Sequence, residues 1–310
     1  MLKDALEQLK GYIQTPPTIN NQWYKSEYKF DKKQSNIVYC PQIYEYNANK
    51  KIKKKNTLFS VSWNIEHGKK LTQIIEDLIK LDSKKQIDII TLQEVDLYTK
   101  YSNYKNCVKE IAQELGFSAV YSTAFFYLDS KGKPQFHQDM PSVTGNAILT
   151  RLPIENSPKI LRLAPQYDFS SDAVPRGGNR IALSIPQKFN DKNGNVITTH
   201  LELKTTPFRR NLQIQDIYNN LCKRKEIFLI QGDFNTLFGK IEPIHSWLKT
   251  EMFENSTGNI STINKKFPQN LLKLDHIYTK SNWKIISSGV IKNIKSSDHL
   301  PIYAHYLMHN

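Results

Sequence analysis

The sequence predicts a layered α/β sandwich, two sheets face to face with helices outside. Three observations lead there. From residue 58 onward, apolar residues switch repeatedly between strand-like and helix-like spacing. Strand candidates outnumber helix candidates and several are joined by hairpin signals, which argues against a simple Rossmann sheet. Residues 58–310 contain no internal repeat and no dividing linker, so they read as one domain preceded by an extension, residues 1–57.

In the extension, Leu2, Ala5, Leu6, Leu9, Tyr12 and Ile13 fall at helical spacing, ended by Gly11 and the Pro16-Pro17 pair. Residues 18–57 have little periodicity and are rich in Asn, Lys and Tyr. Their lysine run (Lys50, Lys51, Lys53, Lys54, Lys55) reads as a solvated face or a phosphate-backbone contact. The domain then opens with a strand over 58–63. Leu71, Ile74, Ile75, Leu78 and Ile79 line a helix face, a strand follows at 87–92, and Val108, Ile111, Ala112 and Leu115 make a second helix stopped by Gly116. Strands follow at 119–126 and 147–150, with a loop or hairpin around Lys131-Gly132-Lys133-Pro134 between them. Residues 154–176 read as irregular. Strands at 180–185 and 196–200 flank a hairpin turn at Asp191-Lys192-Asn193-Gly194. Ile214, Ile217, Tyr218 and Leu221 mark a third helix, 227–230 a short strand, and Ile241, Ile244 and Leu248 a fourth helix. The last strands are 277–278, 283–291 and 302–307.

At 310 residues the chain is long enough to bury a substantial core. No apolar run has the length of a membrane span. Lys3, Asp4 and Glu7 interrupt the N-terminus at once, unlike a secretory signal, so a cytoplasmic, intracellular location is expected. The three cysteines, Cys40, Cys107 and Cys222, show no zinc spacing and are expected as thiols. A formal charge of +14 suits a polyanionic partner, nucleic acid or an anionic membrane surface. Codon bias toward Lys, Asn and Ile explains the charge equally well.

Polar groups gather at strand ends. The relevant stretches are Trp63-Asn64-Ile65-Glu66, Gln93-Glu94-Val95, His200-Leu201-Glu202, Gly232-Asp233-Phe234-Asn235, Leu274-Asp275-His276 and Ser297-Asp298-His299. One such terminus is an ordinary cap or turn. The whole set is what a polar site at one end of a sheet sandwich requires. Glu94, Glu66 and Asp298 are hard oxygen ligands that favour Mg²⁺ or Mn²⁺ over zinc. His200 and His299 can donate to a phosphoryl group or exchange protons with it, and Asp233 and Asp275 can orient them or polarise a water. Arg180 and Arg209 can stabilise negative charge. The absence of a Walker A loop and of a Gly-x-Ser-x-Gly elbow argues against nucleotide-driven phosphoryl transfer and serine-hydrolase chemistry.

Taken in order, and together with Gly145-Asn146-Ala147-Ile148-Leu149-Thr150-Arg151 and Thr199-His200-Leu201, these stretches resemble the endonuclease/exonuclease/phosphatase family of deoxyribonuclease I-like fold. The resemblance implies a four-layer α/β/β/α sandwich of two mixed sheets. It also implies Mg²⁺-dependent phosphodiester hydrolysis by in-line attack of water. Under it Glu94 is the principal metal carboxylate with Asn64 beside it. Asp298 is a second acid on the metal side. Glu66 is a weaker ligand, because several members have Asp there. Asp233 activates or positions the water, Asn235 holds the phosphate, His299 contacts the phosphate and Asp275 orients His299. His200 is a second imidazole, present in some branches. Asn146, Arg180 and Arg209 are the candidates for substrate phosphate. Either Asp233 or His299 is the base.

Within the family, positive charge favours a nuclease or nucleic-acid phosphodiesterase, and Tyr98, Tyr101, Phe125, Phe126 and Tyr127 either stack bases or pack the core. The alternative is a sphingomyelinase-type phosphodiesterase acting on a phospholipid head group. A non-catalytic binding protein on the same fold would be signalled by loss of Glu94, Asp233 or His299, and all three are present.

Overall fold

The computed structural model describes residues 42–44, 55–154, 157–164, 167–222, 227–258, 260–265 and 271–308. The helix expected over residues 2–13 and the lysine run up to residue 54 lie outside the described residues. In chain order the first elements are β1 (Gln42–Tyr44), β2 (Thr57–Asn64), α1 (Leu71–Lys85), β3 (Ile89–Leu97), α2 (Cys107–Leu115), β4 (Ser118–Tyr127), β5 (Phe136–His137), β6 (Met140–Pro141), β7 (Val143–Thr150) and β8 (Lys159–Arg162). There follow β9 (Arg176–Gly178), β10 (Ile181–Phe189), β11 (Lys192–His200), α3 (Pro207–Leu221), β12 (Ile227–Asp233), α4 (Pro243–Thr250), β13 (Glu254–Asn255), β14 (Asp275–Lys280), β15 (Lys284–Val290) and β16 (Ile302–Leu307).

Two mixed sheets organise these elements. One runs β1-β4-β7-β3-β2-β16-β15, with β9 also paired to β4, and the other runs β13-β14-β12-β11-β10-β8. Because side chains alternate across a strand, each sheet presents one face to the other sheet and one to helices. Leu58, Ile89, Val120 and Ile148 of the first sheet meet Leu183, Ile185, Val196 and Leu229 of the second in a shared apolar layer. The outer face of the first sheet packs on α1 and α2 through Ile74, Leu78, Val108 and Ile111. The outer face of the second packs on α3 and α4 through Ile214, Ile217, Ile244 and Leu248. The layers are therefore α/β/β/α, the expected sandwich.

Local chemistry sets the helix ends. Asn106 caps α2 by accepting from the Lys109 N–H, and Thr206 caps α3 by accepting from the Arg209 N–H. Gly116, at φ +65°, closes α2 in the left-handed conformation. No helix among the described residues is long and apolar enough to cross a membrane.

Several expectations need adjustment. The turn between β10 and β11 is Asn190-Asp191, two residues earlier than expected, because Asn190 takes the positive φ the tight turn needs. Ile79 is 43% exposed and Ile241 82% exposed, so neither joins its helix's apolar face; Ile241 lies in the 3₁₀ turn before α4. The stretch 154–176 contains β8 and begins β9, both too short to show periodicity. From within the extension, β1 pairs with β4. Lys55 makes an ion pair with Asp88 at 2.7 Å, so this end of the lysine run is held to the domain. Cys107 is buried and Cys222 half-buried.

Candidate active site

Strand register assembles the centre of the site. On parallel β11 and β12, His200 lies opposite Asp233; on antiparallel β12 and β14, Asp233 lies opposite Asp275. Three groups far apart in sequence thus share one rung at the sheet end. Gly232 makes the rung possible: a Cβ there would meet the Thr199 carbonyl oxygen at 1.9 Å. From the other sheet, Asn64 at the end of β2 donates its Nδ2 to Asp233 Oδ2 at 3.1 Å. The same oxygen lies 3.4 Å from His200 Nε2 and 3.8 Å from His299 Nε2. His299 Nδ1 is 2.8 Å from Asp275 Oδ2. The loop carrying His299 is docked on β2, since Trp63 Nε1 donates to the His299 carbonyl at 2.9 Å and Ser297 Oγ to the Asn64 carbonyl at 2.7 Å. Asn235, at φ +51°, donates its backbone N–H to Asp233 Oδ1 at 3.0 Å and its side chain to the Leu201 carbonyl at 2.9 Å.

Glu94 reaches the cleft because β3 is not regular. The pairing with β7 slips between Leu92 and Val95, and Glu94 takes φ +51°, so the bulge re-aims its side chain while the strand continues to Leu97. His67 meets it from the turn after β2, with Nε2 3.2 Å from Glu94 Oε2 and Nδ1 2.9 Å from Asp96 Oδ1. Asp96 also accepts from Thr99 Oγ1 at 2.7 Å and Tyr127 Oη at 3.0 Å. Glu66 accepts from the Asp298 N–H at 3.1 Å and pairs with Lys69 at 2.7 Å, while Asp298 pairs with Lys265 at 2.7 Å. The two rim acids thus reach each other through the chain but are already held by lysines.

The electrostatics are strongly polarised. Burial disfavours charge on His299, but Asp275 and then Asp233 outweigh it and raise its pKa to about 10. Burial likewise opposes charge on His67, and Glu94 and Asp96 raise it to about 9. Burial and the Asp275 carboxylate push Asp233 up to about 7. Burial would also raise Glu94, but the protonated His67 and His299 hold it well below the usual carboxylate range. His200 is driven well below its ordinary value by burial and then by Arg180, so it is neutral.

The donor set suits a hard divalent cation: the carboxylate oxygens of Glu94 with the Asn64 amide, and no thiolate. Among the described residues, Asp233, Asp275 and His299 offer ligand atoms within 4.8 Å of one another. The 2.8 Å Asp275–His299 hydrogen bond already joins two of these three groups. Asp275 Oδ1 remains buried without a partner, a polar atom that a bound ion or water would satisfy.

A cleft beside this centre is lined by Glu94, Asn146, Arg176, Arg180 and His200, among others. Asn146 and Arg180 both line it. Arg209 is not among its lining residues: it lies exposed on the first turn of α3. Its neighbour Arg210 is fully buried and forks onto Glu242 at 3.0 and 2.7 Å, a structural pair. Of the aromatic candidates, Phe125 and Phe126 pack in the core, and Tyr101 is half-buried beside His67 and Tyr127. His67, Asp96 and Arg176 escaped the sequence reading. The Glu94-Val95-Asp96 spacing marks Asp96, the Glu66-His67 pair after the first strand marks His67, and the Pro175-Arg176-Gly177-Gly178 run marks Arg176.

The model of the Endonuclease/Exonuclease/phosphatase family matches residues 61–299. No curated protein matches the sequence. Among solved structures, an endonuclease/exonuclease/phosphatase family protein from Leptotrichia buccalis C-1013-b is similar at 18% identity and a TM-score of 0.58, covering 80% of this chain and 99% of its own. The endonuclease/exonuclease/phosphatase from Beutenbergia cavernae DSM 12333 gives 14% identity and 0.57, covering 83% and 72%. The human Nocturnin catalytic domain with bound sulfate anion gives 16% and 0.56, covering 81% and 94%. At these identities the likeness establishes the fold.

Proposed function

This chain belongs to the endonuclease/exonuclease/phosphatase family, and from that premise we propose that it is a divalent-metal-dependent phosphodiester hydrolase acting on nucleic acid. The observation that carries the reading is the convergence of Asn64, His200 and His299 on one oxygen of Asp233, with Glu94 on the strand beside Asn64. In the proposed step, Asp233 takes the proton of a water as its oxygen bonds to phosphorus, and the opposite P–O bond breaks. Asp233, raised to about 7, is a better proton acceptor than an ordinary carboxylate. His299, raised to about 10, is already protonated at neutral pH. It therefore donates to a phosphoryl oxygen, which leaves Asp233 as the base. Neutral His200 and the Asn146 amide add donors, and no covalent intermediate is needed. Glu94 and Asn64 would hold Mg²⁺ or Mn²⁺, with Asp298 and Glu66 at the rim, and the ion would stabilise charge on the phosphate and leaving oxygen.

The formal charge of +14 supports a nucleic-acid substrate. The reading is tested by assaying supercoiled DNA, single-stranded DNA, RNA, sphingomyelin and bis-p-nitrophenyl phosphate side by side with Mg²⁺, with Mn²⁺ and with EDTA. Metal-dependent cleavage of a nucleic acid is expected, lowered about 10²- to 10⁴-fold in Asp233→Asn. Preferential sphingomyelin cleavage overturns the substrate, and no cleavage of any phosphodiester overturns the enzyme.

A further inference from the structure

Arg176 and Arg180 stand side by side on one aromatic platform. The Arg176 guanidinium lies 5.2 Å from the Phe125 ring and 4.8 Å from the Phe169 ring, and that of Arg180 lies 5.5 Å from each. Phe125 and Phe169 are themselves buried and packed edge to face at 4.7 Å, so the platform is rigid. Backbone pairing fixes its geometry: β9 joins β4 with Arg176 opposite Tyr127 and Gly178 opposite Phe125. Both arginines line the cleft that also holds Glu94, Asn146 and His200.

The charge of this pair is poorly balanced within the protein. The nearest carboxylate to Arg176 is Asp172, at 4.0 Å. That carboxylate is engaged at its other oxygen by Lys204 at 2.7 Å and Tyr167 at 2.8 Å. Arg180 meets Glu202 at a long 3.4 Å. Arg176 Nε is buried with no hydrogen-bond partner. Two stacked, half-satisfied guanidiniums beside a phosphate-cleaving centre are arranged to receive an anion, since planar forks recognise phosphate oxygens bidentately.

We infer that Arg176 and Arg180 form a second anion subsite, which takes the non-scissile phosphate next to the one that is cleaved. The substrate is then a nucleic-acid strand, with successive phosphates along one backbone. A choline phosphodiester fits poorly, because its single phosphate is taken by the metal centre and its quaternary ammonium would face two cations. This rests on the proposed phosphodiester hydrolysis only for the role of the neighbouring centre; the anion subsite can be measured without turnover.

The deciding measurement is fluorescence anisotropy of a labelled single-stranded oligonucleotide in EDTA, at several salt concentrations, with the full chain. Arg176→Gln is expected to weaken binding about 10-fold and to lower the slope of log K against log salt by about 0.7, the value for one phosphate contact on a single strand. Arg176→Lys keeps the charge and is expected to retain the slope. Arg180→Gln gives an independent reading if Arg176→Gln does not fold. Identical affinity and slope in wild type and both Gln variants overturn the inference. In turnover, Arg176→Gln should lose at least 10-fold more kcat/KM on the oligonucleotide than on bis-p-nitrophenyl phosphate, which has no second phosphate. An equal loss on both overturns it, as does preferred cleavage of a choline phosphodiester. If nothing is cleaved, the hydrolase reading fails while the anisotropy still decides the subsite.

Discussion

His67 Nε2 lies 3.2 Å from Glu94 Oε2, with Asp96 2.9 Å behind it on the other ring nitrogen. The chain adopts left-handed backbone at three non-glycine positions to achieve this, Glu66 at φ +48°, His67 at φ +60° and Glu94 at φ +51°. Such conformations persist only where surrounding contacts over-determine them. Asp96 is in turn fixed by Thr99 and Tyr127, so a buried chain of hydrogen bonds ends on the carboxylate proposed as a metal ligand. The arrangement matches the outer-shell contacts that orient metal ligands. His67→Ala is therefore expected to weaken Mn²⁺ binding about 10- to 100-fold by calorimetry, with His67→Gln recovering part of the loss. Unchanged Mn²⁺ affinity in a folded His67→Ala would show that the contact is merely structural.

Asp275 holds the His299 imidazole through the 2.8 Å contact at Nδ1, so the two are expected to act on the substrate as one unit. Removing either should then cost nearly as much as removing both. His299→Ala is expected to lower kcat about 10²- to 10⁴-fold, and the His299→Ala/Asp275→Ala pair to be no worse than about threefold beyond it. Costs that multiply in the double variant would show that the two residues work independently.

Much of this was legible in the sequence because strand ends carry their polar groups in local runs. Trp63-Asn64 and Gly232-Asp233-Phe234-Asn235 follow apolar strands, and with the other strand-end runs in order they point to hard-ligand phosphoryl chemistry. Helix faces were legible where the apolar stripe was complete, as at Ile214, Ile217 and Leu221. What stayed hidden depends on register and on bulges. The His200–Asp233–Asp275 rung exists only through pairing among β11, β12 and β14, which periodicity does not encode. Glu94 reaches the cleft through a bulge, and only that bulge brings it to His67. Arg209 and Arg210 are neighbours of one type, and helix phase decides that Arg210 is buried on Glu242 while Arg209 faces solvent. Arg176 sits on a strand of three residues, below the length at which alternation is visible.

Gly232 offers a test of the architecture separate from chemistry. At φ +149° it occupies backbone space that side chains rarely adopt, and an added Cβ would lie 1.9 Å from the Thr199 carbonyl oxygen. That atom is backbone in the partner strand and cannot rotate away. Gly232→Ala should therefore separate β11 from β12 at the His200–Asp233 rung, destabilising the fold by about 3 kcal/mol or more. Urea denaturation of the metal-free protein measures this. A loss under 1 kcal/mol would mean that the two strands tolerate a wider spacing there than the geometry allows.

Asp216, on α3, gives a pH dependence remote from the site. Burial raises its carboxyl from the ordinary 3.8 to about 6, opposed only by Asn220, whose Nδ2 donates to Asp216 Oδ1 at 2.7 Å. Between those two values the folded state binds more protons than the unfolded state, so stability falls as pH rises through the window. The penalty is complete above about 6 and absent below the ordinary value. Asp216→Asn keeps the shape and the acceptor for Asn220 but cannot ionise. It should be more stable than wild type at pH 7 by about 1 kcal/mol, a figure reduced from the full shift because the side chain is only partly buried. The advantage should vanish by about pH 3.5, where the wild-type carboxyl is protonated in both states. Urea denaturation in EDTA across this range separates the outcomes. A gain that persists at the acid end would trace to packing, and no gain at pH 7 would show that the carboxylate is solvated in place.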